Sequence, residues 1–356
     1  MTRTEPVPST VLVTGGAGFL GSHACVEFLD HGYEVVVVDD YSRSTPQTLT
    51  RVERIAGRFV GAVYELDIRD RRALSAVFDR HSVDAVVHFA AHNAGGESAR
   101  TPAPYYDTNV AGTTALLHAM QEHGVRRLVY ASTYGVYGDA GPHPLDESAP
   151  VRPVGLYATS KWICEQILAD VCRYWNGFTV LCLRHATPAG AHPSGLLGAD
   201  SRGLPDGLIQ VLAQVAGGRL DRLRVFGDDH PTPDGTAIRD YLHVMDAAEA
   251  HRIALDHLVD TPGMSVYNIG SGRGSSVLEV VAAFSAASGR SVPCEIVPRR
   301  PEDVAELVAG TGAVARAWGW HPTRDLDTVT RDAWRFQQLN PRGYDGSHRR
   351  SKRGDD

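Results

Sequence analysis

Two side chains four residues apart carry the strongest chemical signal in the chain. They are the phenol of Tyr157 and the ammonium of Lys161, in the run Tyr157-Ala-Thr-Ser-Lys161. On a helix this spacing puts both on one face. A phenol with a pKa of about 10 is a poor base at neutral pH. A neighbouring positive charge stabilises the phenolate and makes it usable. The chain has only two lysines, Lys161 and Lys352, so 33 of its 35 basic residues are arginine. A planar guanidinium does not replace a compact ammonium, which marks position 161 as one that needs lysine. Upstream, Leu128 to Ser132 reads as a strand, and Thr133 at its end offers a hydroxyl to a substrate oxygen. A Tyr–Lys pair at this spacing also occurs by chance on helix surfaces, so its weight depends on its setting.

The setting is a dinucleotide site. Gly15-x-x-Gly18-x-x-Gly21 follows a short apolar strand, Thr10 to Thr14, and opens a helix running from about Phe19 to His31. Glycine permits the tight turn and lets backbone amides approach a pyrophosphate at the positive helix end. The GxxGxxG spacing points to a short-chain dehydrogenase/reductase. Asp39 ends the second strand, Glu34 to Asp39, where a carboxylate bonds the adenosine ribose hydroxyls and repels a phosphate. That favours NAD over NADP, although Arg43 nearby is what a phosphate would want. Asp67 ends the third strand and either bonds the adenine ring or caps the next helix.

These residues need a frame. Helical patterns at 51–56, 71–80 and 109–123 alternate with strands at 60–66, 85–90 and 128–132, the signature of a parallel doubly wound sheet. After Arg184 the texture changes to a Gly- and Pro-rich stretch, with helical patterns at 208–216, 244–258, 277–287 and 326–339. The expected organisation is a Rossmann domain over 1–184, to which the chain returns around 226–250. A smaller mixed α/β substrate lobe over 185–345 and a charged tail over 346–356 complete it.

At 356 residues the chain is long enough to form two cores. A net charge of -7 argues against nucleic acid as partner. Five scattered cysteines without a CxxC pair fit reduced thiols in a cytoplasmic protein and no metal site. No apolar run reaches the roughly 20 residues of a membrane span.

The chain resembles the UDP-glucose (UDP-galactose) 4-epimerases, extended short-chain dehydrogenase/reductases, along nearly its whole length. The matching stretches are VLVTGGAGFLGSH, VVVDDYSRS, ELDIRD, VVHFAA, GES, YYDTNVAGT, VYGD, YATSK, GAHPSG, FGDDHPTPDGTAIRDYLHVMD, YNIGSG and PRR. The resemblance implies an NAD-dependent nucleotide-sugar epimerase, with a UDP-hexose as substrate and a homodimer as assembly. Tyr157 would take the 4-hydroxyl proton while the C4 hydride passes to tightly bound NAD, and a transient 4-keto sugar would accept it back on the other face. Family positions that touch the cofactor match Phe19, Leu20, Asp39, Asp40, Tyr41, Ser42, Arg43, Ser44, Asp67, Ile68, Phe89, Ala90, Ala91, Asn109, Ser132 and Thr133, beside Gly15, Gly18, Gly21, Tyr157 and Lys161. Arg239 and Arg300 match positions that hold the diphosphate, and Asp303 and Thr187 fall among the substrate-binding positions.

Several positions depart from the family. Asn93 replaces a lysine, and Arg184-His185-Ala186-Thr187 replaces an Arg-Tyr-Phe-Asn run. Gly207 stands for an asparagine, Gly310 for an acidic residue, and Leu307 occupies a position that varies around the sugar. The hydride and proton machinery is intact while the substrate shell is altered, so an epimerase or dehydrogenase for a non-standard nucleotide sugar is the alternative. Sugar 4,6-dehydratases place Asp-Glu after the catalytic threonine and the decarboxylases a glutamate; here Tyr134-Gly135 follows, and neither ionises usefully. From a different class, a sensor or scaffold that binds the cofactor without turnover is the remaining reading.

Overall fold

The computed structural model describes residues 9–344 except 94–101, 143, 201–204, 206, 259–261 and 301–302. The Gly96-Glu97-Ser98 match and the charged run over 346–356 lie outside them.

Strands β1 (Thr10–Thr14), β2 (Glu34–Asp39), β3 (Ala62–Glu65), β4 (Ala85–His88), β5 (Arg127–Thr133) and β6 (Thr179–His185) belong to one sheet. Three short strands follow: β7 (Thr187–Ala189), β8 (Leu223–Phe226) and β9 (Ile238–His243). Then β10 (Gly263–Ile269) rejoins the first sheet, whose order is β10-β6-β5-β4-β1-β2-β3 with every pairing parallel. Parallel strands carry helices on both faces and are apolar on both. In β2 this is literal. Val35 and Val37 join one core, with α1 (Phe19–Asp30) and α2 (Pro46–Ala56); Val36 and Val38 join the other, with α3 (Arg71–Arg80).

The helical stretch expected over 109–123 starts earlier, with α4 (Pro102–Tyr106), and continues through a wide π-turn over Asp107–Ala111 into α5 (Gly112–Glu122). The turn accompanies a close approach, since a Cβ on Gly112 would lie 2.7 Å from the Ile68 side chain and one of the two would have to shift. Helix α6 (Leu156–Tyr174) carries the Tyr–Lys pair. Helix α7 (Leu208–Ala216) stays in the lobe, α8 (Val244–His257) packs on α1, and β10 pairs in the sheet from Gly263.

The lobe pairs β9 with β7, with β11 (Gly274–Ser276) and with β13 (Glu306–Leu307), while β8 pairs with β12 (Cys294–Val297). Its core joins Leu212, Val225, Phe284, Val329 and Trp334 from α7, β8, α9 (Val277–Ser288) and the C-terminal helix. Burying each such side chain contributes roughly 1.5–3 kcal/mol. Ser276 and Glu279 close a reciprocal cap on α9 at 3.1 and 2.8 Å. The short α10 (Gly312–Trp318) precedes α11 (Leu326–Leu339), which Asp325 caps. No described helix is long and apolar enough to cross a membrane.

Candidate functional site

The glycine turn is packed to the limit. Gly15 has φ +70, and a Cβ there would stand 2.7 Å from the Ala90 nitrogen; one on Gly21 would collide with the Gly15 carbonyl. Gly18 precedes α1, and no described side chain caps that helix, whereas Asp70, Ser276 and Asp325 cap α3, α9 and α11. The first-turn amides of α1, at Phe19 and Leu20, are thus presented to an anion. A dinucleotide pyrophosphate fits this cradle, where any side chain would fill the space.

Asp39 is buried, and its carboxylate accepts from the backbone amides of Ala17 (2.9 Å) and Tyr41 (3.0 Å) and from the Ser44 hydroxyl (2.7 Å). Burial pushes its pKa up while those three donors pull it down. The group is therefore oriented across the mouth of the glycine turn. Tyr41 takes φ +52, the one described non-glycine residue at positive φ. Asp40 holds the amide and hydroxyl of Ser42 at 2.9 and 2.6 Å, and Arg43 follows, half-buried. Asp67 does not cap α3; Asp70 does, and Asp67 instead grips Arg69, whose guanidinium holds the carboxyl below its usual range. After β4, the amides of Phe89 and Ala90 both donate to the Thr14 carbonyl, and Ala91 follows half-buried. Asn109 uses its whole amide on the protein: it accepts from the His92 amide at 2.8 Å and donates to the His92 carbonyl at 3.0 Å and to Ser160 at 2.8 Å. It ties the loop after β4 to the helix of Tyr157. Asn93, next along that loop, is exposed.

Lys161 is buried, donates to the Ala131 carbonyl at 2.8 Å and lies 4.9 and 6.0 Å from the ring centres of Tyr130 and Tyr157. Burial brings its pKa down to about 8 and pushes the Tyr157 phenol up, as does Tyr105 nearby. A phenol so placed needs the cation if it is to ionise. The Thr133 hydroxyl accepts from the Gly135 amide at 3.1 Å, which leaves its own hydrogen to donate. Tyr134, in the dehydratase-specific position, is turned away: its hydroxyl lies against the Leu145 and Val308 carbonyls of the lobe.

Sequence reasoning missed a buried polar chain that starts one turn along the same helix. Glu165, one turn beyond Lys161, is 1% exposed; it accepts from Ser132 at 2.5 Å and from Arg184 at 2.6 to 3.3 Å. Arg184 also donates to the Tyr137 hydroxyl at 2.8 Å, which donates at 2.8 Å to Asn268. One buried polar chain thus joins β5, α6, β6 and β10. Ser132, placed by the resemblance among the cofactor positions, gives its hydroxyl hydrogen to this chain. The only sequence signal was Glu165 at i+4 from Lys161, on the helix face that also buries Ala158, Cys164 and Leu168.

In the lobe, Arg239 on β9 donates to the Ile238 carbonyl at 2.8 Å, stands 3.9 Å from Asp303 and has its pKa lowered by burial. Arg300 lies 3.8 Å over the ring of Phe226, and Leu307 pairs in register with Arg239. The structure thus gathers Arg239, Arg300, Asp303 and Leu307. Thr187 and Gly207 meet Phe19 and Tyr241 in a small pocket of about 30 Å³, so two of the departures face the cofactor turn. A Cβ on Gly310 would stand 2.9 Å from the Leu145 carbonyl, so any side chain there would require this backbone to shift. His185 is buried, with Nε2 3.3 Å from Nε2 of His251.

The profile of the NAD dependent epimerase/dehydratase family matches residues 11–270. The chain belongs to that family. It is 44% identical over 334 residues to the UDP-glucose 4-epimerase of Bacillus subtilis, covering 94% of this chain and 98% of the relative, and 44% over 335 residues to that of Erwinia amylovora. Among solved structures, the UDP-glucose 4-epimerase of Bifidobacterium longum in complex with NAD+ and UDP superposes with a TM-score of 0.92 at 43% identity, covering 94% of this chain and 99% of that one. That of Stenotrophomonas maltophila with bound NAD and formylated UDP-arabinopyranose gives 0.90 at 43%, with the same coverage. As a member of an NAD-dependent family, the chain has in its glycine cradle and Asp39 the residues that would hold NAD.

Proposed function

We propose that the protein is a nucleotide-sugar 4-epimerase that interconverts UDP-glucose and UDP-galactose. The observation that carries the reading is Lys161 buried beside Tyr157 on one helix face, with Thr133 at the adjoining strand end. Tyr157 takes the proton of the sugar 4-hydroxyl and later returns it. Lys161 supplies the charge that makes the phenolate accessible. Thr133 donates to the reacting oxygen, and Arg239 and Arg300 hold the diphosphate, for which planar paired donors are suited. NAD, held by the glycine turn and Asp39, would supply the acceptor for the C4 hydride and, when oxidised, a positive charge that favours the phenolate. Tyr134-Gly135 after Thr133 puts no carboxylate where the dehydratases place their acid and base for work at C5 and C6, which favours epimerisation over dehydration.

In this reading residues up to 184, with the returning segment, hold NAD and the lobe holds the nucleotide sugar. A cytoplasmic homodimer serving galactose metabolism goes with it. Conversion tested by chromatography across UDP-, dTDP-, GDP- and CDP-hexoses decides the substrate: interconversion of UDP-glucose and UDP-galactose is expected, and turnover of another pair with these two inert would overturn it.

A further inference from the structure

Seven buried side-chain polar atoms lack a hydrogen-bond partner among the described residues, and one of them, Nδ1 of His185, belongs to the strand next to that of Thr133. His185 ends β6 and pairs in register with Thr133 on one side and Ile269 on the other. Side chains alternate along a strand. Arg184 points to Glu165 of α6, so His185 points to the opposite face, where it meets His251 of α8. The two imidazoles lie 4.7 Å apart with planes 13° from parallel, and Phe89 packs on His251 at 4.6 Å.

The tautomers follow from the partners. Nδ1 of His251 is 3.0 Å from the Ala247 carbonyl and must carry its hydrogen there. Its Nε2 is then a bare acceptor, so the Nε2 of His185, 3.3 Å away, carries the second hydrogen. That leaves the Nδ1 of His185 as a lone pair with nothing to accept. Burial keeps both rings neutral, and Lys161 adds to the effect on His185. An acceptor buried without a donor costs about 1–3 kcal/mol, which a ligand N–H or O–H would recover.

A dinucleotide offers N–H donors at its two ends. Asp39 marks the adenosine end on β2, four strand spacings from β6 and so roughly 19 Å away at about 4.8 Å each. The other N–H donor is the nicotinamide carboxamide, whose ring must lie where Thr133, Tyr157 and Lys161 meet the sugar. We propose that Nδ1 of His185, with its tautomer set by His251, accepts the carboxamide N–H and positions the nicotinamide ring. The proposal rests on the NAD-dependent reading of the site. A sugar hydroxyl is the competing donor.

The test is a competition read without turnover. Protein exchanged to constant composition against a large excess of equal isotope-labelled NAD and 3-acetylpyridine adenine dinucleotide, whose methyl ketone lacks the N–H, is washed and denatured, and the released labelled NAD and analogue are measured. One neutral hydrogen bond of about 1 kcal/mol predicts a preference for NAD of about 5-fold. His185→Phe should abolish most of that preference and His185→Gln, with an amide oxygen as acceptor, should keep part of it. A wild type that holds both nucleotides equally overturns the proposal, and that comparison stands even if the Phe variant fails to fold. So does a Phe variant that discriminates as well as wild type, or one that loses affinity only for UDP-sugar. A wild type that binds neither dinucleotide overturns the NAD reading itself, and the proposal with it.

Discussion

The Lys161 ammonium lies 6.0 Å from the centre of the Tyr157 ring and spends one hydrogen on the Ala131 carbonyl, 2.8 Å away. The lysine is thus anchored to β5 rather than to the phenol, and acts on Tyr157 through space. Removing the phenolic oxygen should remove the base without disturbing the anchor. Tyr157→Phe is expected to lower kcat by about 10²–10⁴, with NAD still released on denaturation at wild-type stoichiometry. Undiminished turnover would show that the base lies elsewhere.

The burial of Lys161 sets an upper pH limit. Its pKa is lowered from 10.5 to about 8, so its charge, and with it the stabilisation of the phenolate, is lost as pH rises through about 8. The effect on stability has the opposite sign. Between the folded value and the higher unfolded one the unfolded chain binds more protons, so this group's contribution to stability rises with pH there. A kcat profile should fall above about pH 8 with no parallel loss of thermal stability from this group. Lys161→Arg should be slow, and its residual rate should lack that limb because guanidinium does not titrate in this range.

Glu165 and Arg184 form a buried pair with side chains 1% and 5% exposed. Arg184→Met leaves the carboxylate uncompensated and should cost about 3–5 kcal/mol. Replacing both partners by apolar residues should recover much of that loss, which denaturant melts of the single and double variants would measure. If the double variant is as unstable as the single, the pair is not coupled.

The parts of this arrangement visible in the sequence were those encoded locally. The glycine turn, β1, β2 and the helices at 208–216 and 326–339 follow from periodicity and glycine placement, because each repeats the rule of its own element. The membership of β10 in the main sheet was not visible. Gly263–Ile269 mixes Ser, Tyr and Asn with its apolar residues, and its partner β6 lies some 80 residues earlier, across the whole first part of the lobe. The Ser132–Glu165–Arg184–Tyr137–Asn268 chain and the His185–His251 contact were hidden for the same reason: each joins residues that only the fold brings together. Asp67 was legible as a strand-end acid, but its partner Arg69 lies two residues on and competes with both roles considered for it.

Thr187 and Gly207 line one small pocket with Phe19 and Tyr241. If these departures loosen the grip on the nucleotide diphosphate, Thr187→Asn with Gly207→Asn should tighten UDP binding by roughly 5–10-fold, one or two added hydrogen bonds at about 1 kcal/mol each less the ordering cost. The proton and hydride steps should be untouched, so KM should fall with kcat unchanged. Calorimetry with UDP checks the first expectation, and weaker binding in the double variant would show that the pocket is shaped for a different ligand.

The central claim is that a hydride leaves C4 and returns to the same carbon while Tyr157 handles the proton. Protein supplied with UDP-galactose carrying deuterium at C4 tests it directly by mass spectrometry and NMR of the product. We predict UDP-glucose that retains the deuterium at C4, formed without added NAD. Product in which solvent hydrogen has replaced it, or no UDP-glucose at all, would contradict the mechanism.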